Sequence, residues 1–435
     1  MVGVIGILGI GYNVYHWFDG VTQYRIAYFY FEYGIPHFYA DRVVLKKDIP
    51  KAIWWTSKAA ERGNANAQST LGAYLINGEE VEKNENEGFQ WLKKSAESGC
   101  AEAQFNLGSC YYNETGTGKN NEEAFKWIRK AAEQPITARF SKNSPNAYFI
   151  LGQLYARGDG CEINKKEAVK WITKAAEKGK AEAQYYLAMC YLDGRGVEKD
   201  DKEAFSWMKK AAEQNNPNAQ YQIGLCYYHG KGVSADQVEA FKWRKKAAEQ
   251  GLAIAQYSLG SSYMSGNEKG VKKNEKEGLS WYTKASEQGN ADAQYELGQC
   301  YFYGLGTSKN DIEAFKWTSK SADQGNQKAE YNLGASYLQG IGTPKNETEA
   351  FKWYKKAADK GVPLAQYNLG VLYQKGIGVE KNDAEALTWF TKSADQGNAE
   401  AKKAESCIKG EADAKRMLKE SESKQQSPNN PPQNP

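Results

Sequence analysis

At 435 residues the chain has room for two or three ordinary domains, but its 57 basic and 53 acidic side chains are interspersed and leave a formal charge of only +4, so composition implies no broad polyanion-binding face. Nucleic acid is therefore not an expected partner. With three histidines and no Cys-x-x-Cys among seven cysteines, neither a zinc site nor a Ser–His or Cys–His centre has enough parts, so no metal, cofactor or small-molecule substrate is expected.

The first 18 residues carry no charge, which invites a signal-anchor reading. Against it, Arg25 is the first basic residue, and Gly3, Gly6, Gly9, Gly11, Asn13 and His16 dilute the apolar run. A buried start or eroded cap is favoured, and membrane contact is not expected. Residues 22–40 are dense in Tyr and Phe, and Ile26–Ala27 with Tyr30 faintly echo a motif that recurs downstream. Residues 1–40 are thus read as an N-terminal segment carrying a degenerate capping helix.

From residue 41 to 405 the chain repeats itself. Tryptophan recurs at 55, 91, 127, 171, 207, 243, 281, 317, 353 and 389, spaced 36 apart except for 44 between Trp127 and Trp171 and 38 between Trp243 and Trp281. A Leu–Gly-type landmark precedes the tryptophan of all but the first copy, at Gly72, Gly108, Gly152, Ala188, Gly224, Gly260, Gly298, Gly334 and Gly370. Each unit reads as two helices. The first ends at loop glycines such as Gly340 and Gly342; the second starts seven residues before the tryptophan at Asn or Asp, from Asp48 to Asn382. Glu follows three residues later in all but the first copy, which has Lys51, and predicts a reciprocal capping box. The extra eight residues lengthen the connection after Trp127, and the extra two lengthen the hairpin loop within SGNEKGVKKN.

These residues carry a resemblance. The combination AxAQYxLGxxYxxGxGVxKN with xEAxxWxxKAAEQG resembles the Sel1-like repeat, a relative of the tetratricopeptide repeat with a longer hairpin loop. It implies an all-α, right-handed superhelical solenoid of about ten antiparallel helix hairpins, acting as a non-catalytic scaffold or adaptor for protein complexes. Alternatives that the resemblance also raises are the regulatory Sel1-repeat portion of a larger, kinase-linked signalling protein, and a membrane-tethered adaptor of protein quality control at the endoplasmic reticulum. A link to β-lactam hydrolysis ranks last, because the paired cysteines of such repeats are missing.

A glycine inside a helix costs about 1 kcal/mol against alanine, so its recurrence implies close approach of a neighbour, for which the tryptophan is the expected residue. Cys110, Cys190, Cys226 and Cys300 share one slot, two residues past the landmark, and read as small apolar packing residues. With no recurring partner cysteine, a reducing, cytoplasmic setting is expected, with the endoplasmic reticulum as the alternative if residues 1–18 are an anchor. Lysine stands three residues after every tryptophan and an acid three after that; the plain reading is a solvated face.

Comparing copies shows where the hairpin is free to vary. Counted from the landmark, positions −6, −2, +1 and +5 of the first helix change most, and their spacing puts them on one face. That face displays Ile150, Gln153 and Arg157; Tyr186, Met189 and Asp193; Gln222, Leu225 and His229; Glu296, Gln299 and Tyr303; and Asn332, Ala335 and Gln339. In tetratricopeptide-like solenoids the first helix lines the groove, so the resemblance implies that this stripe meets a peptide or protein partner, with Tyr186, Met189 and Leu225 as apolar anchors. The plainer reading is that the positions vary because nothing constrains them. Loop Gly-x-Gly pairs terminate helices rather than bind phosphate, since no strand precedes them. After a helical end at 406–420, the Pro/Asn-rich stretch 421–435 is expected to be disordered.

Overall fold

The computed structural model describes residues 35–39, 42–46, 49–78, 81–135 and 144–425. Two compact units divide within the helix that ends at His229. The first unit opens with an antiparallel pair, β1 (Ile35–Tyr39) and β2 (Arg42–Lys46), with Tyr39 opposite Arg42. Ten helices follow: α1 (Ile49–Glu61), α2 (Ala65–Asn77), α3 (Glu85–Glu97), α4 (Ala101–Asn113), α5 (Asn121–Glu133), α6 (Ser144–Arg157), α7 (Lys165–Glu177), α8 (Ala181–Asp193), α9 (Asp201–Glu213) and α10 (Pro217–His229). The second unit holds α11 (Gln237–Glu249), α12 (Ala253–Ser265), α13 (Glu275–Glu287), α14 (Ala291–Tyr303), α15 (Asp311–Asp323), α16 (Gln327–Gln339), α17 (Glu347–Asp359), α18 (Pro363–Lys375), α19 (Asp383–Asp395) and α20 (Ala399–Gln425).

Even-numbered helices from α2 to α18 carry the glycine landmark, replaced by Ala188 in α8, and odd-numbered ones the tryptophan. Within each unit the hairpins, α2–α3 and α4–α5 in the first and α12–α13 and α14–α15 in the second among them, pack more extensively within themselves than with the next. In the second helix of the hairpin, the cap Oδ1 accepts the backbone N–H of the residue three on, at 3.0–3.2 Å from Glu87 to Glu385. The reciprocal arm of a capping box is not the one used. The cap residue's own N–H donates to the preceding helix instead, as Asn346 does to the Tyr337 carbonyl at 2.8 Å, and so closes the hairpin. This frees the glutamate side chain, which pairs with a lysine one turn on in Glu123–Lys126, Glu167–Lys170, Glu239–Lys242, Glu313–Lys316 and Glu349–Lys352.

The landmark glycine does meet a close neighbour, but it is not the tryptophan. A Cβ at Gly108 or Gly152 would lie 2.5 Å from Ile128 or Ile172; at Gly260 it would meet Tyr282, at Gly334 Tyr354 and at Gly370 Phe390. Each is the residue after the tryptophan. The tryptophan ring sits beside it, under the lysine three residues on, whose Nζ lies 3.8–5.0 Å from the ring centroid in every repeat from Trp91 to Trp389. That ladder is therefore a row of cation–π contacts rather than a merely solvated face, each worth about 0.5–1 kcal/mol at such partly exposed sites.

Neighbouring hairpins are joined in three ways. Edge-to-face pairs bridge them, with Phe89–Tyr111, Phe125–Tyr155, Phe315–Tyr337 and Phe351–Tyr373 centroids 5.1–5.3 Å apart. Buried glutamines do the same. Gln104, Gln184, Gln256, Gln294 and Gln366 donate to a carbonyl of the preceding hairpin at 3.0–3.2 Å and accept from Gln134, Gln214, Gln288, Gln324 and Gln396 at 2.6–2.8 Å. At one step the pair becomes Glu330 with Lys360, 2.6 Å apart. The third joint is the second loop glycine: a Cβ at Gly342 would stand 2.0 Å from the Asp311 carbonyl of the preceding hairpin.

Two expectations change. Residues 35–39 and 42–46 are strands, not part of a capping helix or a repeat helix: IPHFY and RVVLK are rich in β-branched and aromatic residues that pair well across a hairpin. Residues 1–34, with the signal-anchor reading, lie outside the described residues. The last helix runs to Gln425, past the expected limit of 420, because Ser421–Gln425 holds no helix breaker before Pro428. Residues 426–435 lie outside the described residues, as do Asp48 and most of the eight-residue insertion. The two-residue insertion has a visible use. Arg244, buried where most other repeats carry an apolar residue after the tryptophan, bonds Ser258 at 2.7 Å and pairs with Glu268 of the lengthened loop.

Candidate functional site

The variable stripe lies along the even-numbered helices. Positions −2 and +1 are half-buried in the central copies, as at Ile150, Gln153, Tyr186, Met189, Gln222, Leu225, Glu296, Gln299, Asn332 and Ala335, while position +5 is exposed at Arg157, Asp193, His229, Tyr303 and Gln339. This gradation follows from the packing. The landmark is pressed against the partner helix, so residues one step round it edge towards the next hairpin, and the residue a further turn on clears it.

Cavities open between successive even-numbered helices. In the first unit, Ile150, Gln153 and Arg157 of α6 face Ser109, Tyr112 and Asn113 of α4 across about 170 Å³, with Ile128 of α5 beneath. Arg157 Nη1 donates to the Tyr112 hydroxyl at 3.3 Å, and that hydroxyl donates to Asp159 at 3.3 Å. In the second unit, Gln299 and Tyr303 of α14 face Asn332, Ala335 and Gln339 of α16 across about 180 Å³, over Thr318 of α15. The structure thus brings together two groups of the stripe residues read from sequence.

The expected apolar anchors are less free than supposed. The Tyr186 ring lies 6.1 Å from Phe149 with Arg195 at 5.9 Å over its face, and packs against the first unit's core. Tyr303 is the exposed aromatic, at 65 % of its full accessibility and 4.9 Å from Phe302. Asp193 pairs with Arg195 at 2.9 Å, and His229 stacks edge-on with Tyr228 at 5.0 Å. Sequence reasoning missed the residue that follows the tryptophan, which forms the floor of both cavities. Its signal was present as a variable size class: Ile128, Ile172, Met208, Tyr282, Thr318, Tyr354 and Phe390.

The chemistry of these surfaces is neutral. Counting −2, +1 and +5 in the nine landmark-bearing helices, the charged residues are Arg157, Asp193, Glu296 and Lys375. Burial holds the Glu296 carboxyl above its ordinary range, with Lys328 opposing the shift and Asp292 adding to it. The slot cysteines are buried and their thiols are pushed up, to about 11 for Cys110 and Cys190 and about 12 for Cys300, which makes them inert packing groups. No group of three or more metal-ligating side chains occurs among the described residues, and no helix among them is long and apolar enough to cross a membrane.

The repeat boundaries decide the family. The Sel1 repeat matches ten times in succession, over 21–64, 65–100, 101–135, 145–180, 181–216, 217–252, 253–290, 291–326, 327–362 and 363–398. The chain belongs to the Sel1 repeat family. From 65 onward, each matched stretch is one glycine–tryptophan hairpin, and the first match begins at residue 21 rather than 41. Among solved structures, this Sel1 chain is similar to c5321, a protective antigen of uropathogenic Escherichia coli, at 31% identity over 92% of this chain and 90% of that one, with a TM-score of 0.61. It is also similar to a Sel1 repeat protein from Oxalobacter formigenes at 32% identity, over 72% of this chain and 89% of that one, with a TM-score of 0.56. No curated protein matches the chain.

Proposed function

We propose that this Sel1 chain is a non-catalytic scaffold that holds a protein or peptide partner across its even-numbered helices. The observation that carries the reading is a coincidence of position: the residues that differ most between copies line the cavities that open between copies. Residues varying only for lack of constraint would scatter over the solvated faces instead. Amides, hydroxyls and hydrocarbon line these cavities, with the Arg157 guanidinium in the first and no nucleophile–base pair in either, and this supports binding over catalysis. Inert thiols with no recurring partner support a reducing, cytoplasmic setting.

The test is proximity labelling in the native cell, comparing the parent with two variants that remain folded: Gln299→Ala/Tyr303→Ala/Asn332→Ala and Gln153→Ala/Arg157→Ala. Loss of a defined subset of labelled proteins by at least one variant is expected. Identical profiles for all three proteins reject the groove as the reader.

A further inference from the structure

The second unit's cavity has a composition that specifies its occupant more narrowly. Its floor is Thr318. At the same place in the neighbouring hairpins stand Tyr282 and Tyr354, buried against Gly260 and Gly334. Thr318 covers Gly298 with a far smaller side chain and leaves room above it, beside Phe302, Phe315 and Ile341. The void is therefore apolar at depth and flanked by the carboxamides of Gln299, Asn332 and Gln339, with Tyr303 standing exposed at its edge.

Resting on the groove reading above, we propose that this cavity is an anchor pocket for one bulky apolar side chain, leucine- to phenylalanine-sized, borne by an uncharged extended segment of a partner protein. Three properties converge on that occupant. A volume of about 180 Å³ lies below the roughly 300–1,000 Å³ of sites for whole small molecules, but accommodates one side chain. Without a Lys, Arg, Asp or Glu in its lining, the pocket would leave a buried ionised anchor uncompensated, so charged side chains are disfavoured. Carboxamides offer both donors and acceptors, the complement of a peptide main chain, which carries one of each per residue. Tyr303 then closes over the anchor with a rigid aromatic surface, at little cost in lost rotamers. The chain's own last stretch does not fit, since 426–435 is QSPNNPPQNP and holds no bulky apolar residue.

The test is a random nonapeptide display library selected on the full-length protein, followed by synthetic versions of the enriched peptides titrated against parent and variants. Enriched peptides are expected to share one Leu, Ile, Met or Phe among uncharged neighbours. Thr318→Tyr, which copies the tyrosine-over-glycine packing of the adjacent hairpins, should weaken them at least tenfold. Replacing the anchor by alanine should do the same, and the two changes together should cost little more than either alone. Thr318→Ile, which copies Ile128 over Gly108, serves if the tyrosine variant melts early. Enrichment of Asp, Glu, Lys or Arg as the shared residue, or full affinity for Thr318→Tyr, overturns the pocket; so does a library from which nothing is enriched. If peptides ignore Thr318→Tyr but are lost with Gln153→Ala/Arg157→Ala, the pocket falls while the groove reading stands.

Discussion

Glycine and the side chain opposite it form the smallest unit of this architecture. At Gly108 a methyl group would have to share space with Ile128, a branched side chain that cannot bend away. The chain contains its own control. Ala188 is the one landmark that is not glycine, and the residue after its hairpin's tryptophan is Met208, whose unbranched side chain adapts to irregular space. Gly108→Ala should thus destabilise by about 1–2 kcal/mol, the overpacking cost less the gain in helix propensity. Adding Ile128→Met should restore most of that, measured as denaturation midpoints of the two variants; failure of the methionine to rescue would refute the pairing. The recurring glycine was legible in the sequence as a close approach, but its partner was not. Periodicity draws attention to the invariant tryptophan, whereas the residue that fills the space need only be large enough, and so varies. Glu296 poses a second test at this scale. Because burial raises its carboxyl above the ordinary 4.5, the folded chain binds this proton more tightly than the unfolded one, and stability falls as pH rises through the interval between the two values. Glu296→Gln should raise the melting temperature at pH 7 and leave it unchanged at pH 4; equal melting of both proteins at pH 7 would count against the burial argument.

Helices and loops were the most legible level, because caps, loop glycines and tryptophan spacing are local signals. What escaped is the use made of them across hairpins. Both glycines of a loop read alike in sequence, yet at Gly340, which ends α16, a Cβ would meet only ordinary contacts with Lys345 and Thr343 of its own loop, and Gly342 abuts the Asp311 carbonyl. Each has positive φ, +72° and +70°, so alanine strains the backbone at both, by roughly 1–2 kcal/mol. Only at 342 does it also push two hairpins apart. Gly342→Ala should therefore destabilise by at least about 1 kcal/mol more than Gly340→Ala, the lower bound of an overpacking cost; equal losses in thermal or denaturant melts would contradict the contact. The Glu330–Lys360 pair argues similarly. Glu330 is 2 % exposed, so Lys360→Gln alone leaves an ill-compensated carboxylate, while Lys360 keeps over a third of its side-chain surface in water. With that screening the single change should cost about 1–2 kcal/mol, and Glu330→Gln/Lys360→Gln should recover it by recreating the glutamine pair of the other joints. Additive losses in that double-mutant cycle would show that the two side chains do not cooperate. The strands at 35–46 escaped for a different reason. Ten residues cannot display the period that betrays the hairpins, and aromatic content alone suits a buried helix as well as a strand.

Within each unit a hairpin touches only its neighbours, so stability is a sum of repeat contributions and joints, and damage should stay local. The end of the second unit shows the consequence. The first turns of α20 lay Ala401 and Ile408 on Phe390 of α19, which is fully buried, whereas Met417 and Leu418 further along are about two-thirds exposed. Two parts of one helix thus have different duties, the first covering a joint that would otherwise be open and the stretch at Met417 and Leu418 standing out from the core. Stopping the chain after Lys409 should leave stability nearly unchanged. Stopping it after Asn398 uncovers Phe390 and should cost about 1.5–3 kcal/mol, the value of a buried aromatic side chain. Native-state hydrogen exchange distinguishes this local account from a cooperative one. Amides of α18 and α19 should lose protection in the shorter chain while those of α12 and α13, earlier in the same unit, keep theirs, because α20 packs on α19. A uniform loss along the whole chain would mean that the repeats unfold as one body, and the picture of independent joints would have to be abandoned.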